Sequence, residues 1–176
     1  MNPENISTAQ LLTSCNATAA ELLQLISSFS ESEINTIPAK DSWTAAQVAD
    51  HVTQSNNSVA QAMEAAGTPT HRKPDEGAPK LKAIFLNFEK KLQSPEIILP
   101  GKGTYQKDIL IANLEQSIHR IQQIAAGADL TETVSHSVLG QNTRLEIMYF
   151  VWYHTQRHIH QLKNIRQIVT VHPAKA

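Results

Sequence analysis

Three histidines near the C-terminal end of the chain are the residues whose type and spacing best suit metal chemistry. They are His154, His158 and His160, out of eight histidines in the whole sequence. In an α-helix, residues four positions apart lie one above the other on the same face. His154 and His158 therefore offer two imidazole nitrogens to one metal ion, and a complete site needs a third ligand from elsewhere in the chain.

The apolar pattern around these histidines predicts where their side chains point. With Ile147 as the angular zero and about 100° per residue, His154 and His158 fall within about 60° of it. The other members of this apolar stripe are Val151, Leu162 and Ile165. His160 points to nearly the opposite side, so we expect it to be exposed. Gln161 lies near the edge of the histidine face, where it could hydrogen-bond a ligand or substrate.

A third candidate ligand, His51, lies on a different predicted helix. Thr44 and Gln47 form a capping-box pattern, so this helix is expected to begin there and to run to about Ala66, before Gly67. His51 lies at the edge of its apolar arc. A histidine at such a position is either a core residue or a ligand.

Two interpretations of the three histidines follow from the spacing. An unsatisfied imidazole in a core costs on the order of 1–3 kcal/mol, so each ring must find a partner. The partners are either neighbouring carbonyls and hydroxyls, or a metal ion held by His51, His154 and His158 together. Spacing alone leaves both interpretations open.

The elements that must position these residues are helices. Capping-box patterns also occur at Ser7 with Gln10 and at Thr143 with Glu146. Four long amphipathic helices and one shorter helix are predicted at residues 7–29, 44–66, 80–93, 104–126 and 143–169. The connections are expected at residues 30–41, 67–80, 94–103 and 128–142, with Gly140 as a turn. No β pattern is found, so the predicted fold is an all-α four-helix bundle with an additional short helix, in one domain spanning residues 1–176.

Composition excludes several classes of protein. Fifteen Lys and Arg against 16 Asp and Glu give a net charge of -1 without a basic cluster, which argues against nucleic-acid binding. The apolar runs are too short to span a bilayer, and residues 1–5 do not resemble a signal peptide. The single Cys15 is consistent with a reducing cytoplasm, and its place on an apolar stripe indicates a small hydrophobe rather than a reactive thiol. Trp43 and Trp152 are interpreted as core or interface anchors.

Three segments resemble the DinB/YfiT-like family. In residues 43–52 a tryptophan near a helix start is followed two turns later by His51, which is similar to a metal-ligand segment of that family. Residues 154–162 resemble its closing H-x-x-x-H helix, in which Gln and an aliphatic residue follow. Residues 136–143 are similar to its His-Pro-x-x-Gly-x-x-Thr approach to that helix, with Ser137 in place of the proline.

This resemblance implies a four-helix bundle with a three-histidine site, most often described with zinc or nickel, and a homodimer in many members. The implied ligands are His51, His154 and His158. The best-understood relatives are metal-dependent thiol transferases that use bacillithiol, mycothiol or glutathione, and others are described as metal-dependent hydrolases. The implied partners are therefore a small-molecule substrate and a low-molecular-weight thiol.

The sequence is compatible with three functions. They are a metal-dependent thiol transferase, a metal-dependent hydrolase, and a non-enzymatic bundle that only binds metal. Hydrolysis would benefit from a general base, and the nearest carboxylates, Asp50 and Glu146, neighbour the relevant helix faces without lying on them. This slightly favours thiol transfer. Arg157 could bind an anionic substrate, the alternative being an ordinary exposed helix arginine.

Overall fold

A computed structural model describes residues 6–171 of the chain and is mostly helical. Residues 1–5, which the sequence predicts not to be a signal peptide, lie outside the described residues. The described elements are α1 (Thr8–Ser27), α2 (Glu31–Ile34), α3 (Ala45–Glu64), α4 (Ala78–Phe85), a 3-10 helix (Glu96–Ile98), α5 (Lys107–Gly127), β1 (Thr133–His136), β2 (Gly140–Thr143) and α6 (Arg144–Val171).

The four long helices α1, α3, α5 and α6 pack into a bundle, which confirms the predicted fold class. Each helix turns a stripe of apolar side chains inward, because apolar residues recur every three or four positions. The buried apolar side chains form two clusters, one that includes Leu22, Val52, Leu114 and Leu162 and a second that includes Ile147. Between residues 6 and 171, no helix has both the length and the hydrophobicity needed to cross a membrane.

All three predicted capping boxes are present at the starts of α1, α3 and α6. In each, the first side chain accepts a backbone N–H and the second accepts the N–H of the first, at 2.8–3.2 Å. The pairs are Ser7 with Gln10, Thr44 with Gln47, and Thr143 with Glu146. Such boxes satisfy donors that a helix start leaves free, which is why the predicted starts agree with the structure to within a residue.

The prediction that the chain has no β structure was wrong. Strands β1 and β2 form an antiparallel hairpin in the connection before α6, with Thr133 opposite Thr143 and His136 opposite Gly140. Gly140 has a φ of 74°, a left-handed conformation that favours glycine and fits the predicted turn. Each strand has only four residues, too few for an alternating pattern to be distinguished from a polar loop.

Helix α4 is shorter than the 80–93 predicted and ends at Phe85. The guanidinium of Arg157 on α6 donates to the carbonyl oxygens of Phe85 and Asn87, at 3.3 and 2.8 Å, and also to that of Lys90. These carbonyls at the end of a helix are satisfied by a side chain rather than by a further helical turn. The following residues are thereby free to fold across the bundle, where Phe88 reaches α6.

The connections hold two short helical segments that the sequence did not predict. Helix α2 begins with a fourth capping box, in which Ser30 and Glu33 exchange hydrogen bonds. The 3-10 helix Glu96–Ile98 lies between prolines in the connection that leads to α5. Both are too short to show a period, but the 3-10 helix places a carbonyl oxygen against a histidine of the candidate site.

Candidate metal centre

The three histidines singled out by spacing are brought together in the bundle interior. His51 comes from α3, and His154 and His158 come from α6 one turn apart. All three are buried, and one nitrogen of each lies within 4.8 Å of the others. The Nε2 atom of His154 is 3.2 Å from that of His51 and 3.0 Å from that of His158. In the described residues no cysteine or carboxylate joins this cluster.

The opposite ring nitrogens fix how these imidazoles face one another. His51 Nδ1 lies 2.8 Å from the carbonyl oxygen of Ile98, which can only accept, so Nδ1 carries the proton. His158 Nδ1 donates in the same way to the side-chain oxygen of Gln161 at 2.9 Å. The Nε2 atoms of both rings therefore present bare lone pairs to the centre of the cluster. Partners of this kind typically orient metal-ligating histidines.

The separations of the Nε2 atoms fit a shared cation. Two imidazole nitrogens bound at 2.0–2.1 Å to one ion lie about 2.9 Å apart at a right angle and about 3.4 Å apart at the tetrahedral angle. The observed 3.0 and 3.2 Å fall between these limits. The lone pairs of His51 Nε2 and His158 Nε2 both face His154 Nε2, and neutral imidazoles in this arrangement can share one cation. The donor set, three neutral imidazoles, suits zinc and its neighbours among the transition metals.

The electrostatics of the cluster keep the rings neutral. Burial and the neighbouring His51 lower the pKa of His158 to about 3, against a smaller opposing effect of Gln161. Burial, followed by His158 and His51, holds the pKa of His154 well below its usual value. Burial also lowers the pKa of His51, although the hydrogen bond to Ile98 partly offsets it. Neutral imidazole is the form that binds metal.

The metal-free protein is expected to lose stability as the pH falls below about 6.5. The unfolded chain then protonates its histidines, whereas the buried rings stay neutral down to about pH 3 in the case of His158. The unfolded state therefore binds more protons, which costs up to about 1.4 kcal/mol per pH unit for each such histidine. Urea unfolding of chelator-treated protein at pH 7.5 and 5.5 measures the loss. An unchanged free energy of unfolding between the two pH values would contradict neutral rings.

Hydrogen bonds join α3, beside His51, to the segment between the 3-10 helix and α5. Asp50 accepts hydrogen bonds from Gly101 N–H and from the Tyr105 hydroxyl, both at 2.9 Å. Gln54, on the same face of α3, donates to the carbonyl of Leu99 at 3.1 Å. These contacts hold the chain where the Ile98 carbonyl meets His51. Asp50 is thus engaged in structure and is not free to act as a general base.

A pocket of about 840 Å³ opens beside the three histidines. This volume is within the range of small-molecule sites. Trp43 lines it, with its ring centroid 5.1 Å from that of His51, so this tryptophan both packs on the core and borders the site. Four exposed apolar side chains are among its lining residues, namely Ile84, Phe88, Leu99 and Val138.

The remaining residues singled out on α6 have distinct positions. His160 is exposed as predicted, but it also lines the pocket, because Phe88 folds over and stacks on it at 4.4 Å between ring centroids. Arg157 lines the pocket wall with its guanidinium on the carbonyls that follow α4. Its binding of an anion stays a prediction. Glu146 is fully buried and lies outside the cluster.

The thiol of Cys15 lies away from the histidines, half-buried against a smaller apolar cavity of about 160 Å³. Its sulfur donates to the carbonyl of Met148 at 3.7 Å. Burial raises the pKa of Cys15 to about 12, which keeps it protonated and unreactive. Trp152 borders the same cavity and donates to Thr18 at 3.1 Å, as a packing residue would.

Two features of the site were not predicted from the sequence. The first is the carbonyl of Ile98, a backbone atom for which residue type gives no signal. The second is a hydrogen bond of 2.9 Å between Ser58 on α3 and His136 on the hairpin, both of which line the pocket. Ser58 lies seven residues after His51, so helical periodicity would have placed it on the same face.

A four-helix bundle with three inward-facing histidines on two facing helices defines the class of this protein. The chain belongs to the DinB superfamily, whose family model matches residues 15–162 and so includes all three histidines. This agrees with the resemblance in the three motif segments. A comparison with curated protein sequences found no match.

Two solved structures share the fold. One is TT2238, described as a four-helix bundle protein, with a TM-score of 0.58 and 18% identity over 90% of this chain and 99% of that one. The other is YfiT from Bacillus subtilis, with a TM-score of 0.61 and 16% identity over 95% of this chain and 91% of that one. YfiT is described as a probable metal-dependent hydrolase with an unusual four-helix bundle topology.

Proposed function

We propose that this protein is a metal-dependent transferase that joins a small thiol to an electrophilic small molecule. The observation that carries the proposal is the meeting of three neutral imidazole nitrogens at the wall of an 840 Å³ pocket. His51, His154 and His158 would hold a divalent ion, zinc or nickel. Such an ion supplies Lewis acidity, which stabilises the thiolate form of a small thiol at neutral pH.

The charge of the site supports a thiol as the nucleophile. Three neutral ligands leave the full charge of a divalent ion uncompensated, so the site favours an anionic partner. Asp50 and Glu146, the nearest acids singled out from the sequence, are each held by several hydrogen bonds and are not available as bases. In the proposed reaction the thiol loses its proton to solvent, and its sulfur attacks an electrophilic carbon. A carbon–sulfur bond forms while the leaving group departs with its electron pair.

Hydrolysis is the second candidate, because YfiT shares the fold and is described as a probable metal-dependent hydrolase. The same Lewis acidity would lower the pKa of water instead of a thiol. In that case the pocket would take an ester or amide, and no thiol would be needed. A third candidate is a bundle in which the metal only stabilises the fold.

Assays of metal-loaded protein, purified without a histidine tag, distinguish these candidates. Bacillithiol, mycothiol and glutathione are each incubated with 1-chloro-2,4-dinitrobenzene, and the thioether product is followed by absorbance. Metal-dependent thioether formation supports the transferase. Hydrolysis of nitrophenyl esters in the absence of thiol would instead favour the hydrolase over the transferase. If neither reaction occurs and metal removal unfolds the protein, the structural role is favoured.

Replacement of Gln161 by leucine is expected to weaken metal binding about tenfold, because the partner that orients His158 is lost. Competition with a chromophoric chelator measures the affinity. Asn164→Leu is the matched control, since Asn164 lies one turn further along α6 and hydrogen-bonds His160 rather than one of the three clustered histidines. Equal metal affinity in Gln161→Leu and wild type would show that Gln161 does not position the ligand.

Three further expectations belong to this proposal. The homodimer is supported by the resemblance to family members that form dimers, and size-exclusion chromatography with light scattering tests it. The cytoplasmic location is supported by the single cysteine. Anion binding at Arg157 is supported by its place on the pocket wall.

A further inference from the structure

The pocket holds a second polar group that the metal chemistry does not use. His136 is buried at the end of β1, and its ring is enclosed by the hairpin turn. Its Nδ1 atom accepts hydrogen bonds from the backbone N–H groups of Val138 and Leu139, at 3.1 and 3.0 Å. A nitrogen that accepts two N–H groups carries no proton, so the ring proton lies on Nε2.

This tautomer determines the role of Ser58. The Nε2 atom of His136 lies 2.9 Å from the hydroxyl oxygen of Ser58, so the histidine donates and the serine accepts. The hydroxyl proton of Ser58 is then left to donate elsewhere. Within the described residues, the side chain of Ser58 makes no hydrogen bond other than this one. Burial also lowers the pKa of His136, which keeps the ring neutral.

The hydroxyl of Ser58 lies on the pocket side of α3. His51, Ser55 and Ser58 are spaced so that they share one helix face, and all three line the pocket. Seven residues separate Ser58 from His51, which corresponds to about 10 Å along the helix axis. A ligand that spans the pocket can therefore approach the metal ligands at one end and Ser58 at the other.

The larger part of the pocket wall is apolar. Phe85, Phe88, Leu92, Leu139 and Phe150 line the same pocket, and Phe88 is still 43% exposed. Burying such surface favours an alkyl or aryl body over a polar one. A single hydroxyl donor suits an uncharged acceptor such as a carbonyl oxygen, since an anion would call for more than one donor.

We propose that Ser58, held by His136, is a substrate-binding residue that donates a hydrogen bond to a carbonyl oxygen of an otherwise apolar substrate. The inference rests on the proposed function in taking the pocket as the substrate site. It adds the substrate class, a small and mainly apolar molecule whose carbonyl group lies apart from its reacting atom. His136 is a positioning residue, because it acts through Ser58.

The test measures binding of hexanamide, an alkyl chain with one carbonyl, to the full-length protein as purified with zinc added. Ser58→Ala is expected to bind about fivefold more weakly than wild type, the effect of one neutral hydrogen bond. Ser58→Thr keeps the hydroxyl and should retain the affinity. Asn57→Ala, on the exposed face of α3, is the matched control and should bind as wild type does. In wild type, hexanamide should also shift the NMR signal of the His136 Nε2 proton.

Equal affinity of wild type and Ser58→Ala would overturn the inference, as would a His136 ring protonated at Nδ1 in the 15N spectrum. Absence of hexanamide binding by wild type at millimolar concentration would overturn it too. The metal content of the same samples and their thiol-transfer activity report on the proposed function separately. If hexanamide binding depends on Ser58 but the protein holds no metal, the proposed function is wrong and the inference stands. If the protein transfers thiol but Ser58→Ala binds hexanamide as wild type does, the inference is wrong and the proposed function stands.

Discussion

A His154→Ala variant is expected to lose divalent metal binding by at least about 100-fold while the helical bundle stays folded. Structural zinc sites with four ligands bind with about 10–16 kcal/mol, so one ligand accounts for roughly 3 kcal/mol, or about two factors of ten. His154 is the central residue of the cluster, since its Nε2 atom lies close to those of both His51 and His158. Metal analysis of tag-free protein, followed by chelator competition, measures the change.

His160→Ala is the matched control for this experiment. His160 lies on the same helix and lines the same pocket, but its ring stacks on Phe88 and is exposed. The His160→Ala variant should therefore bind metal with the same affinity as wild type. Circular dichroism of both variants checks that the helices persist, and His51→Ala tests the ligand from the other helix. Full metal retention in His154→Ala and His51→Ala would show that the three histidines are ordinary core residues.

Replacement of Glu146 by alanine is expected to destabilise the protein by about 3–4 kcal/mol. The carboxylate is fully buried and accepts from the Arg72 guanidinium, from Gly77 N–H at 2.6 Å and from Thr143 N–H at 2.9 Å. The variant leaves these donors without their acceptor and removes the capping box of α6. The approach at Gly77 is so close that a Cβ there would lie 2.7 Å from the carboxylate, which explains the glycine.

Urea unfolding at pH 7 measures this loss, and Glu64→Ala is the control. Glu64 also pairs with an arginine, Arg120, but both side chains are partly exposed to solvent, so a much smaller effect is expected. Burial raises the pKa of Glu146, and its hydrogen bonds from Arg72, Thr143 and Gly77 outweigh that effect and leave the pKa below 4.5. Its contribution is therefore lost as the pH falls below about 4.5. Equal destabilisation by both variants would contradict a larger contribution to stability from the buried Glu146 network than from the partly exposed ion pair of Glu64.

Much of this fold is encoded locally. The three capping boxes predicted from Ser7, Thr44 and Thr143 are present because each joins residues three positions apart. The apolar stripes also predicted which helix faces are buried. They placed His154 and His158 on one inward face and His160 outside it, because a helix fixes these directions within a few turns.

The regions where prediction failed are those in which a distant residue determines the local structure. Helix α4 was expected to reach residue 93 from the apolar spacing of Phe88 and Leu92, but Arg157 binds the carbonyls that follow Phe85. The hairpin before α6 was missed because its strands are short and polar, and a bridge from Thr68 to Thr133 anchors it from outside. Neither cause can be found in the local pattern.

The sequence by itself determined that the protein is a helical bundle and that two histidines share a buried face, because both follow from helical periodicity. Periodicity did not decide whether His51 joins them, since its position on the edge of an apolar arc was compatible with core or ligand. The family resemblance implied that it does, and the tertiary structure brings the three rings together. It also decided the orientation of the rings and the pairing of Ser58 with His136. These depend on the Ile98 carbonyl and on a hairpin turn, which are backbone features that join residues far apart in the chain.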